Sequence, residues 1–141
     1  MLLCNISIMN RYGKNQLDEL LIPYELDWYQ FAAIWLIDGI PGISQNDIIP
    51  FLQTDKGNVS KIIKKLIEDE LVYTQKCEDD QRKKGCYLTL NGKNLVPTLK
   101  KVMSDWEELL YQNISKDELA IFDKVSSQIS TNLTKHIERL I

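Results

Sequence analysis

Lys56, Asn58, Ser60, Lys61, Lys64 and Lys65 crowd into one short stretch whose remaining positions are apolar. In it, Val59, Ile62, Ile63, Leu66 and Ile67 recur at i, i+3, i+4, i+7 and i+8, the spacing of one helix face. These five are the expected core positions. The lysines then project from the other side, where an ammonium group can meet a phosphate oxygen. Such contacts add affinity and salt dependence but carry no sequence information. Asn58 and Ser60 stand near the start of the helix, the end that reaches base edges in a groove, and an asparagine amide can pair bidentately with adenine. The same two residues would serve equally well as helix caps or as solvated polar groups. Downstream lie two strand-like runs, Leu71-Val72-Tyr73-Thr74-Gln75-Lys76 and Cys86-Tyr87-Leu88-Thr89-Leu90. They flank the hydrophilic tip Glu78-Asp79-Asp80-Gln81-Arg82-Lys83-Lys84-Gly85. A basic helix followed by a basic hairpin fits duplex DNA, with the helix in the major groove and the tip on the flanking backbone or minor groove. A hairpin tip rich in charge is also what simple solvation produces.

The elements that would hold these groups are mostly helical. A first helix over 9–21 carries Leu17, Leu20 and Leu21 and stops before Pro23. Asp27 caps a second over 28–37, too apolar for a surface helix and therefore placed at the centre of the domain. Gly39-Ile40-Pro41-Gly42 breaks the chain. Ser44 caps a helix reaching about Gln53, which Pro50 should kink or shorten. Thr54 or Asp55 caps the lysine-bearing helix, which ends near Asp69. After the hairpin, Asn91 is the expected cap of a long helix with Leu99, Val102, Trp106, Leu109 and Leu110 on its apolar face and Pro97 in its second turn. Asn113-Ile114-Ser115 ends it, and Ser115 with Glu118 forms a capping-box pattern for the last helix. That helix carries Leu119, Phe122, Val125, Ile129, Leu133, Ile137 and Leu140.

With 141 residues, 44% of them apolar and 26% charged, the chain suits one soluble domain with a real core. No apolar run approaches the roughly 20 residues of a membrane span. Residues 1–10 lack a basic leader and a small-residue cleavage site, so no signal peptide is expected. Cys4, Cys77 and Cys86 are odd in number and widely spaced, which argues against a disulfide framework or zinc site and fits a reducing cytoplasm. The net charge of -3 does not by itself suggest nucleic acid, but its distribution is uneven. Residues 56–84 hold eight Lys/Arg against six Asp/Glu, while the remainder holds nine against fourteen. A chain that mildly repels DNA overall and attracts it through one segment favours a defined orientation. No nucleophile–base pair, Gly-rich phosphate loop or ligand-spaced metal cluster is present, and His136 stands alone, so neither an enzyme, a cofactor nor a metal is expected.

The terminal helices are long, apolar on one side and outside the compact centre. Two copies packing these ends would form a homodimer with twofold symmetry. Such a dimer sets two recognition helices about one DNA turn (~34 Å) apart, matching a pseudo-palindromic operator.

With its clearest signal from 44 to 95 and a weaker one over nearly the whole chain, the sequence resembles the MarR family of winged helix-turn-helix transcriptional regulators. The residues that carry the resemblance are Asp55-Lys56-Gly57-Asn58-Val59-Ser60-Lys61, Leu66, Leu71-Val72, the wing pattern Asp80-x-Arg82, and Leu88-Thr89-x-x-Gly92. The resemblance implies a mainly α fold with a small β-hairpin wing. It implies a single domain over 1–141, with a DNA-binding lobe over 27–95 and dimerisation helices over 1–22 and 98–141. It implies a cytoplasmic, dimeric regulator, most often a repressor of a palindromic operator in double-stranded DNA, released by a small ligand. Arg82 is similar to the family arginine that enters the minor groove, where narrow A·T tracts attract a guanidinium. Asp80 would hold Arg82 or the turn through a charge-assisted hydrogen bond, and Lys83 and Lys84 would add backbone contacts. Glu70 departs from the usual glycine before the strand, Thr74 from a usual basic residue, and Gly57-Asn58 from frequent Ser/Thr types. A small aromatic effector would sit in a cleft lined by some of Tyr12, Tyr24, Trp28, Tyr29, Trp35 and Trp106, residues that equally suit a core. Alternatives are a redox-sensing regulator acting through Cys4, and a winged helix kept for protein contacts after DNA binding was lost.

Overall fold

The computed structural model describes the backbone of residues 1–138 and the side chains of 1–135. Expected apolar positions Ile137 and Leu140, and the lone His136, therefore lie outside the described side chains. The elements in chain order are α1 (Leu2–Leu21), a 3-10 turn (Ile22–Tyr24), α2 (Trp28–Gly39), β1 (Ile43–Ser44), α3 (Gln45–Leu52), α4 (Lys56–Glu68), β2 (Val72–Lys76), β3 (Lys84–Leu88), α5 (Leu90–Leu110) and α6 (Lys116–Glu138). The chain is thus mainly helical, with one small antiparallel sheet. It forms two compact units, one over Met1–Trp106 and one beginning at Glu107.

The first unit is organised by α2. Asp27 accepts from the Gln30 backbone at 2.9 Å and the Gln30 side chain accepts from the Asp27 backbone at 3.0 Å, a reciprocal capping box. Phe31, Ala32, Ala33, Ile34 and Ile37 of α2 are all buried, as an all-round apolar helix requires. Around them pack Leu17 and Leu21 of α1, Ile48 and Leu52 of α3, Val59, Ile63 and Leu66 of α4, and Leu99 and Val102 of α5. α1 starts at Leu2, two turns before the expected residue 9, and only its C-terminal half joins this core.

Pro50 neither ends nor shortens α3, which runs through it to Leu52. Gln53 then adopts φ 51, and the chain reaches α4 in a short turn. The sheet has the order β1-β3-β2, with Ile43 opposite Cys86 and Val72 opposite Leu88. The two-residue β1 strand has too little periodicity to read from sequence. It meets β3 where two glycines touch: a Cβ on Gly85 would lie 2.8 Å from the Gly42 carbonyl oxygen. The expected hairpin is there, with β3 beginning at Lys84 and ending at Leu88.

In the second unit, Asn113 turns the chain at φ 62. The Ser115 backbone donates to Glu118 at 2.8 Å and the Glu118 backbone to Ser115 Oγ at 3.2 Å, completing the expected capping box of α6. These hydrogen bonds to Ser115 hold the Glu118 carboxyl below the ordinary carboxylate range. Phe122, Val125, Ile129 and Leu133 lie exposed along α6, and Leu109 and Leu110 at the end of α5 are exposed as well.

Candidate nucleic-acid interface

α4 is built as the periodicity requires on its inner side. Val59, Ile62, Ile63 and Leu66 are buried. Ile67 is a correction: it is 40% exposed, because the helix packs through a stripe narrower than the full apolar set. Asp55, rather than Thr54, is the N-cap, accepting from the Asn58 backbone at 2.7 Å. Thr54 has a different task, accepting from the Asn58 side-chain nitrogen at 2.8 Å. Asn58 is accordingly half-buried and tied to the turn through Thr54.

Lys56, Ser60, Lys61, Lys64 and Lys65 are exposed. They are not equivalent. Lys64 lies 4.0 Å from Glu68, and Lys65 donates to Asp69 at 2.7 and 2.8 Å. The Asp69 carboxylate raises the Lys65 pKa and keeps that ammonium charged. Exposed pairs of this kind are weak and exchange readily for another anion. Glu68, Asp69 and Glu70 follow one another at the C-terminal end, so positive charge dominates α4 only towards its N-terminus. The helix polarity adds to this, since the first turn is the electropositive end.

The wing tip spans 77–83. It is closed by Cys77 N–H on the Lys83 carbonyl at 2.9 Å and Lys83 N–H on the Asp80 carbonyl at 2.9 Å. The Asp80 carboxylate accepts the backbone N–H of Arg82 at 3.0 Å. Asp80 thus secures the turn itself, and Arg82, Lys83 and Lys84 are left exposed. Lys76 is a further basic residue of the wing. The register sets it opposite Lys84, two like charges facing across the hairpin, an arrangement unfavourable without an anion nearby. Antiparallel pairing of the two runs was the signal that would have revealed it. Tyr73 and Tyr87 stack behind the tip with centroids 5.4 Å apart.

The junction after α4 is the other departure. Glu70 takes φ 58, where glycine is usual. Its N–H reaches the Ile67 carbonyl at 3.0 Å and Leu71 N–H the Leu66 carbonyl at 2.9 Å, a Schellman ending made without glycine. Thr89, not Asn91, caps α5: its Oγ1 accepts the Gly92 N–H at 3.0 Å, and the helix begins at Leu90, earlier than a cap at Asn91 would start it.

Among the aromatic candidates, Trp28, Tyr29 and Trp106 line two adjoining grooves of about 390 and 350 Å³ that share Asn10, Lys14 and Trp28. Lys14 Nζ stands 5.4 Å from the Trp28 ring centroid and 5.9 Å from that of Tyr29. Trp28 Nε1 is itself buried and has no hydrogen-bond partner among the described residues. Tyr12 and Tyr24 are exposed, and Trp35 packs on Phe31 instead. No group of His, Cys, Asp or Glu among the described residues is arranged to hold a metal ion. No described helix is long and apolar enough to cross a membrane.

α3 and α4 followed by a two-stranded wing make a winged helix-turn-helix fold. The MarR family model matches residues 26–84. The HTH-type transcriptional regulator BilQ of Clostridium symbiosum (strain WAL-14163) is 22% identical over 78 residues, 55% of this chain and 54% of that relative, so the chain spans about half the length of this relative. A MarR transcriptional regulator from Methanosarcina mazei Go1 superposes with a TM-score of 0.83 at 28% identity, over 94% of this chain and 96% of that one. A MarR family regulator from Listeria monocytogenes, complexed with 26mer DNA, shares the fold with a TM-score of 0.88 at 18% identity, covering 95% of this chain and 89% of that one. The chain is thus similar to MarR family transcriptional regulators, in sequence over residues 26–84 and in fold over nearly its whole length.

Proposed function

We propose that this chain is a homodimeric, sequence-specific DNA-binding repressor of a pseudo-palindromic operator, working in the cytoplasm and released by a small ligand. The observation that carries the reading is the exposed basic start of α4 together with an exposed wing tip bearing Arg82, Lys83 and Lys84. In this reading Lys56, Lys61, Lys64, Lys65, Lys76, Lys83 and Lys84 meet phosphates. Ser60 and Asn58 approach base edges, Asn58 after its amide is released by Thr54 or through its remaining lone pairs. Arg82 enters the minor groove, and Asp80 keeps the turn that aims it.

In this reading the DNA-binding lobe is 27–95 and dimerisation uses 1–22 and 98–141, of which 139–141 lie outside the described residues. Support for the dimer comes from uncovered apolar side chains on each: Leu2, Leu3, Ile6 and Met9 on α1, and Phe122, Val125, Ile129 and Leu133 on α6. Faces this apolar are covered by partners in soluble proteins. Support for an anionic aromatic effector comes from the α1–α2 groove. There Lys14 supplies charge, and Trp28 and Tyr29 supply stacking surface.

The test is salt-titrated binding of wild type and Arg82→Ala to genomic fragments, including the DNA upstream of the gene itself. Saturable binding to one fragment, falling steeply with salt and weakened by the substitution, is expected. Weak binding to every fragment alike, indifferent to Arg82, refutes the repressor and favours a protein-interaction module. Release that needs an oxidant and disappears in Cys4→Ser would move regulation from the groove to Cys4.

A further inference from the structure

The end of α4 and the start of α5 are joined through a single side chain. The Schellman turn satisfies the Leu66 and Ile67 carbonyls, and the Glu70 and Leu71 carbonyls just beyond it face Thr89. The Glu70 carbonyl accepts the Thr89 hydroxyl at 2.6 Å, and the Leu71 carbonyl accepts the Thr89 N–H at 3.0 Å. The same Oγ1 accepts the Gly92 N–H of α5 at 3.0 Å. The hydroxyl's proton and a lone pair are thus both engaged, the first on the turn that ends α4 and the second on α5. Gly92 makes the approach feasible, because a Cβ there would lie 2.2 Å from the Leu71 oxygen.

We propose that Thr89 is a positioning residue: its hydroxyl sets the angle of α4 against α5 and thereby the ratio of specific to non-specific DNA affinity. The inference rests on the DNA-binding reading above. The mechanics follow from length. α4 has 13 residues, so its first turn lies about 20 Å from the clamp. A tilt of about 5° at the Thr89 end displaces Lys56 and Asn58 by roughly 1.7 Å over that length. A direct base contact tolerates only a few tenths of an ångström about its preferred donor–acceptor distance of roughly 2.9 Å. Long lysine side chains on phosphates absorb the same displacement by changing rotamer. Loss of the clamp therefore penalises reading while sparing non-specific attachment.

The experiment compares wild type, Thr89→Val, Thr89→Ala and Thr89→Ser on the preferred fragment and on a random-sequence duplex of equal length. Val keeps the volume without the hydroxyl, Ala loses both, and Ser keeps the hydroxyl. Partial unfolding lowers both affinities by one factor and cancels in the ratio, so either hydroxyl-free variant that remains folded is decisive. The ratio should fall roughly ten-fold or more in Val and Ala, the scale of one or two lost base contacts, and stay at the wild-type value in Ser. An unchanged ratio in Val and Ala, or an equal fall in Ser, overturns the inference while leaving the repressor reading intact. A wild type with no preference for any fragment overturns both.

Discussion

Replacing Gly92 by alanine tests how tightly the α4–β2 turn is held to α5. The new Cβ would stand 2.2 Å from the Leu71 carbonyl oxygen, 3.2 Å from the Leu71 carbonyl carbon and 3.3 Å from Leu88 Cβ. Unstrained carbon contacts lie near 3.5 Å, so the Leu71 carbonyl must retreat by about 1 Å. That carbonyl accepts the Thr89 N–H at 3.0 Å, the ordinary length of such a bond, and a retreat of about 1 Å breaks it. Overpacking of a tight site costs about 1–3 kcal/mol and the lost hydrogen bond about 0.5–1.5 kcal/mol. Alanine's better helix propensity returns about 1 kcal/mol. The net expectation is a loss of about 1–3 kcal/mol, read as a lower urea midpoint at an unchanged slope. Protein concentration must be fixed, since a dimer's apparent stability depends on it. Gly39→Ala is the internal control: nothing lies within 4 Å of its would-be Cβ, and its midpoint should stay within experimental error of wild type or rise. Equal midpoints for Gly92→Ala and Gly39→Ala would refute the close-approach argument.

Three further outcomes are expected. Glu70→Gly should raise the urea midpoint, because relief of a left-handed residue gains about 1–2 kcal/mol and the added chain entropy costs about 0.5–1 kcal/mol; a lower midpoint would show that φ 58 is unstrained. Glu118 has a folded-state pKa below its unfolded value, so its contribution is present above about pH 4.3 and is lost as pH falls through the lowered pKa. Circular dichroism between neutral and acid pH should show less helix loss for Glu118→Gln than for wild type, and parallel curves would remove that role. Burial pushes the Cys86 thiol up to about 11, so in the native protein at pH 8 mass spectrometry should find Cys86 unalkylated and exposed Cys4 of free monomer modified; rapid native labelling of Cys86 would contradict its burial.

Much of this protein is legible in residue order because the signals are local. Asp27, Ser44, Asp55 and Ser115 cap helices through bonds to residues three positions on, and such bonds depend on nothing distant. The α2 composition forces it to the centre, and the buried stripe of α4 follows from helical spacing alone. Charge and turn residues likewise announce a hairpin whose tip is basic.

What periodicity could not supply are the contacts between residues far apart in the chain. Thr89 reads as the end of a strand until Glu70 lies beside it, 19 positions away, and only then is it a cap and a clamp. Asn91 was equally suited to capping on local grounds; the geometry of the β3–α5 junction selected Thr89. Ile67 belongs to the apolar repeat yet faces outward, because the width of the covered stripe is decided by neighbouring helices rather than by α4. Lys76 gained its facing charge from strand register, and Trp28 its unpartnered nitrogen from the packing of α1 on α2. Local hydrogen bonds and hydrophobic spacing thus announce the elements, whereas the angles between them, and hence the aim of the basic groups, arise only when those elements share one core.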